Sequence, residues 1–130
     1  METYLTGNVL WSFDYELEQA GLTQEMLALF SLMPPIHRHE GQLSLTDVAL
    51  IIEGDISKTI PLSVISQLYL GFDEVFRQSL VKNGGVFWQP LRLTLEGKAG
   101  KEIVYLIIDH GPFGAKNTIW FNALKDMLAE

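Results

Sequence analysis

Apolar and polar positions alternate along most of this chain, and only its last stretch takes up helical spacing. Val9, Trp11, Phe13, Tyr15 and Leu17 occupy every second position, with Ser12, Asp14 and Glu16 between them, which is the period of a strand. Glu16 to Ala20 are good helix formers, so a helix over the end of this segment is the alternative. A helix start follows at Leu22 to Leu27. Thr23 can cap it, Leu22 can staple to Leu27, and Glu25 suits the positive end of its dipole. Met26, Leu29, Phe30 and Met33 share one face of it, and Pro34-Pro35 end it.

From Gly41 the strand signals become regular. Gln42 to Leu45 and Val48 to Glu53 read as a hairpin turning at Thr46-Asp47, with a further strand at Lys58 to Leu62 and a short one at Ser66 to Leu70. Asp73 to Val81 carries helical spacing at Val75, Phe76 and Leu80 without settling the type of element, and Gly84-Gly85 break it. Pro90 to Glu96 and Lys101 to Asp109 then alternate as strands on either side of a turn at Gly97 to Gly100. Finally Asn117 is placed to cap a helix whose Trp120, Ala123, Leu124, Met127 and Leu128 form one stripe. Strands first and one helix last predict a mainly β (α+β) fold. The expected form is a small antiparallel β-roll or barrel over residues 40 to 130, capped by its C-terminal α-helix. Residues 1 to 39 are expected as an N-terminal strand/helix extension that packs on it and adds a self-association surface.

Composition narrows the chemistry. A chain of 130 residues is one domain's length and buries enough surface to fold without metals or disulfides. The absence of cysteine excludes disulfides, thiolate metal sites and cysteine nucleophiles, and makes the cytoplasm the expected compartment. The first residues carry acids where a signal peptide would carry an apolar run, and no apolar run approaches the ~20 residues of a membrane span. Charge is unevenly spread. Residues 1 to 55 hold nine acids against Arg38 alone, a net −8, whereas residues 56 to 130 carry seven acids and eight bases. An acidic half repels phosphate backbones, so nucleic acid is not the expected partner.

The stretch GQLSLTDVALIIEGD, the K-x-I-P-L strand after it, and the later IVYLIID and KNTIWFNALKDML resemble the pleckstrin-homology-like superfold, closest to its GRAM-type and bacterial versions. The resemblance covers roughly residues 40 to 130. It implies a bent antiparallel sheet closed by a Trp-bearing helix and used to bind lipid headgroups, peptides or proteins. Phosphoinositide sites in the superfamily rest on clustered Lys and Arg in the loops at one end of the roll. Here a simple meander would bring only Lys98 and Lys101 to that end, opposed by Asp47. The other end mixes Lys58, Arg77, Lys82 and Lys116 with Asp55, Asp73, Glu74 and Asp109. A lipid headgroup is therefore the alternative ligand and not the expected one.

Enzymatic readings find little support. His37 and His39 flank Arg38, and Glu40 or the Asp109-His110 pair could complete a metal site, but zinc needs three or four converging ligands and only the H-x-H pair is local. His110 has no serine or cysteine nucleophile motif beside it. Gly84-Gly85 and Gly111 to Gly114 lack phosphate-loop spacing. No catalytic residue, metal ligand or cofactor is assigned, and a small metal-dependent or hydrolytic enzyme ranks last. Phe72, Phe76, Phe87 and Trp88 cluster around the Gly84-Gly85 loop, and Phe76, Phe87 and Trp88 are the candidate binding residues. The expectation is a non-enzymatic module that binds a protein or peptide, with a second copy of itself, as a homodimer, among the candidates.

Overall fold

The computed structural model describes residues 3–19, 39–73, 75, 89–97, 100–111 and 114–128. Its elements in chain order are β1 (Thr3–Phe13), α1 (Asp14–Gln19), β2 (His39–Thr46), β3 (Ala49–Gly54), β4 (Lys58–Pro61), a 3-10 turn (Leu62–Val64), β5 (Ile65–Leu70), β6 (Leu91–Gly97), β7 (Gly100–Ile108) and α2 (Asn117–Leu128). The fold is mainly β, one antiparallel sheet capped by a C-terminal helix. No helix among the described residues is long and apolar enough to cross a membrane.

The seven strands run in the order β4-β3-β2-β1-β7-β6-β5, with every pairing antiparallel. The two edge strands are consecutive in the chain, and that forces the shape. In a flat sheet six spacings of about 4.8 Å would separate β4 from β5 by about 29 Å. The link from Pro61 to Ile65 spans at most about 15 Å when fully extended. The sheet must therefore curl over on itself, and Lys58 of β4 does reach Glu102 of β7 at 3.3 Å. Among the described residues no ladder joins β4 to β5, so the roll stays open.

Alternation decides which side chains fill the inside. The register places Val9 beside Gly41 and Ile108, Leu43 beside Ile52, and Leu93 beside Leu68 and Val104, so one face of every strand is apolar. Val9, Leu43, Ile52, Leu93, Val104 and Ile108 are buried together with Trp11, Leu45, Leu50, Ile60, Leu91, Leu95 and Leu106, and Leu68 packs at their border. Trp120 and Leu124 of α2 complete the core, with Ala123, Met127 and Leu128 packed at its border. The expected stripe is thus the one the helix buries. The hairpin at Thr46-Asp47 is held by the Thr46 hydroxyl, which donates to the Ala49 carbonyl at 3.1 Å and accepts from the Ala49 N–H at 3.0 Å.

The structure departs from the expected layout at the N-terminus. Thr3–Phe13, placed by the sequence in an extension, is the middle strand of the sheet, bonded to β2 on one side and β7 on the other. Both readings of the Val9 to Leu17 segment are partly realised, strand to Phe13 and helix from Asp14. The switch has a local cause: the Glu16 side chain reaches back to the Phe13 N–H at 2.9 Å, which satisfies one of the free donors at a helix start. α1 packs on β1 and β7. The outer face there is covered too, since Ser12, Thr94, Tyr105 and Ile107 are buried although they alternate with the core residues. The expected helix over Thr23 to Met33 and the segment from Phe76 to Val81 lie outside the described residues.

Candidate functional site

Two features stand out from the packing: a groove on the β5 side of the sheet, and a histidine held between carboxylates at the far end of β1 to β4. The groove follows from topology. β5 ends the sheet, so its outer backbone groups have no strand partner among the described residues, and α2 lies beside it. Between them runs a groove of about 500 Å³, floored by Ile65 to Leu68 and walled by Leu62, Ser63, Lys125 and Leu128. Ser66 and Gln67 are exposed, Leu62, Leu68 and Leu128 half-buried. An open strand edge beside apolar side chains and one ammonium group can accept an extended chain through its backbone.

Outside the groove, on the outer face of β5 to β7, Arg92 is spread over several partners. Its Nη1 donates to Asp73 at 3.0 Å and its Nη2 to Gln67 at 3.1 Å, while its guanidinium lies 4.5 Å from the centre of the Tyr69 ring. The Tyr105 hydroxyl donates to the same Asp73 oxygen at 2.7 Å. Burial, and then the bond to Asp73, push the Tyr105 phenol above its ordinary range and keep it a neutral donor. With its charge engaged by Asp73, Arg92 has little to offer an anionic ligand. Lys58 and Lys116 also lie near acids, Glu102 at 3.3 Å and Asp109 at 3.7 Å.

The second feature lies where β1 ends and β2 begins. His39, 8 % exposed, sits with Nδ1 2.8 Å from Asp55 Oδ2 and Nε2 2.7 Å from Glu16 Oε2. Trp11, its cross-strand neighbour, packs on the imidazole with ring centroids 4.5 Å apart. Phe13 meets Trp11 edge-on at 5.2 Å, and the half-exposed Tyr15 stacks on Phe13 at 5.3 Å. Asp55 also accepts the Glu40 N–H at 2.9 Å. The bond to His39, followed by that to Glu40, holds the Asp55 carboxyl below its usual range.

Phe76, Phe87, Trp88 and His37 lie outside the described residues. His39 joins Glu16 and Asp55, while the Asp109 carboxylate accepts the Asn8 N–H at 2.8 Å. No group of three His, Asp or Glu among the described residues is arranged to hold a metal ion. Glu16 and Asp55 escaped the sequence reading for a physical reason, since they reach His39 only through strand pairing across 23 and 16 positions. Comparison of the chain with protein-family models and with curated proteins finds no match.

Proposed function

We propose that this protein is a non-enzymatic, pleckstrin-homology-like interaction module that binds an extended peptide segment of a partner along β5. The reading rests on one observation, the open edge of β5 facing α2 across a groove lined by Leu62, Leu68, Lys125 and Leu128. A peptide laid there would pair its backbone with β5 and place alternate side chains against the apolar wall, while Lys125 favours an acidic residue at that position. The strand order, with β1 central and a C-terminal helix against the β5 edge, supports the superfold reading. A fold of this kind leaves the partner open, which is why the groove carries the argument.

The test is selection from a displayed peptide library, followed by amide shift mapping on the labelled protein. Shifts confined to Ile65 to Leu70 and to the last two turns of α2, abolished by Leu128→Glu, are the expected result. Binding that maps elsewhere removes the groove from the proposal. Strong, salt-sensitive affinity for anionic vesicles would favour the headgroup alternative, and a dimer mass with the same shifts would make a second copy the occupant.

A further inference from the structure

We propose that His39 is a proton-operated clasp: as the imidazolium it ties Glu16 to Asp55 and holds α1 on the sheet, and loss of its second ring proton releases α1. The argument is a count of hydrogens. A neutral imidazole has one N–H and one lone pair, whereas an imidazolium has two N–H groups. Here both ring nitrogens face carboxylate oxygens, Nδ1 at 2.8 Å and Nε2 at 2.7 and 2.9 Å. Ionised carboxylates only accept, so the geometry is satisfied on both sides only when the ring carries both protons. Remove one, and a lone pair of the buried ring confronts a carboxylate at hydrogen-bond distance, most costly against Glu16, whose side chain is 18 % exposed where that of Asp55 is 47 %.

The clasp adds a side-chain tie between parts that strand pairing already sets side by side, with β2 next to β1 and β3 and Glu40 bonded to Asp55. Glu16 belongs to α1, His39 opens β2, and Asp55 follows β3, so one ring fastens three consecutive pieces of the fold. Glu16 is used twice, since it also accepts the Phe13 N–H that starts α1. Among the described residues, the other charged groups at this end include Asp14 of α1, Glu40 of β2, and Lys58 of β4 with its partner Glu102 of β7; Lys58 lies 5.4 Å from the centre of the Phe13 ring. Because the clasp needs two ionised carboxylates and a protonated ring, α1 docking has a bell-shaped pH dependence. Acid opens it by neutralising Glu16 and Asp55, and alkali by neutralising His39. Release uncovers Phe13 and the flank of β7 against which α1 packs. This end is opposite the β5 groove along β4, so the inference does not depend on the peptide reading.

Nitrogen-15 spectra of the histidine rings and amide exchange across pH, on the full chain, test it. At the pH of greatest α1 protection both His39 nitrogens are expected to show protonated shifts. As the ring titrates, protection factors at residues 17–19, the amides that α1 itself can bond, should fall at least about tenfold, the worth of one charge-assisted hydrogen bond, while Leu43 and Leu93 keep theirs. Glu16→Gln leaves an acceptor without the charge and is expected to move the alkaline limb to lower pH. His39→Gln is expected to erase that limb. A single-tautomer ring while α1 is protected, or α1 protection that ignores His39 titration, would overturn the clasp; so would an alkaline limb unmoved in Glu16→Gln.

Discussion

The side-chain amide of Asn117 accepts the Ile108 N–H at 2.7 Å and so continues the β7 ladder where β6 has run out. Its Nδ2 donates to the carbonyls of Leu106, at 3.1 Å, and Gln89, at 2.6 Å. The Ile108 carbonyl is taken by the Lys116 N–H at 2.8 Å. One buried amide thus replaces a missing peptide unit and bolts the start of α2 to the sheet. This corrects the capping role expected from sequence. The first helical bond runs from the Trp120 N–H to the Lys116 carbonyl, so Lys116 holds the capping position and Asn117 faces inward.

Asn117→Ala strands the Ile108 N–H in the interior, and such a group costs about 1–3 kcal/mol. Urea titration should show a loss in that range or above it. Asn117→Asp keeps the shape but turns both donations into repulsions. It is expected to be the more harmful at neutral pH and to recover partly in acid.

Trp120, 2 % exposed, is the largest side chain that α2 contributes to the core. Trp120→Ala should cost about 3–5 kcal/mol by chemical denaturation. A chain ending before Asn117 should fail to fold, and a cooperative thermal transition in it would contradict the role given to α2.

Gly41 and Gly54 face each other across β2 and β3, and an added Cβ on Gly54 would collide with the Glu40 carbonyl oxygen. Backbone cannot yield as a flexible side chain would. Gly54→Ala is expected to destabilise by about 1–3 kcal/mol, the usual cost of overpacking. It should also displace Asp55 from His39, visible as a changed His39 ring spectrum.

Asp55 sets part of the acid limit of stability. Its folded carboxyl lies below the ordinary 3.8, chiefly because of His39. A group lowered on folding contributes stability above its unfolded value and loses it as pH falls through its folded value. Thermal melts should therefore drop below about pH 4. Asp55→Asn should melt lower than the parent at neutral pH and lose less on acidification, so that the two curves converge.

Much of the sheet was legible in advance because burial is encoded locally. Alternation at Leu43, Leu45, Leu50 and Ile52, and again at Leu91 to Leu95, marks which side of a strand meets the core, and Thr46-Asp47 marks where the chain reverses. The stripe through Trp120 and Leu124 marked the closing helix in the same way. What alternation leaves open is the neighbour of each strand. β1 reads like any amphipathic strand, yet it sits between β2 and β7, partners supplied by residues about 30 and 100 positions away. Asn117 looked like a cap because the residue type suits one, and only the end of β6 beside β7 turned its amide inward. His39 was paired in sequence with its nearest histidine, whereas the pairing of β2 with β1 and β3 gave it Glu16 and Asp55. Periodicity along the chain determined the faces of this protein, and long-range pairing, which no local pattern specifies, decided its polar contacts.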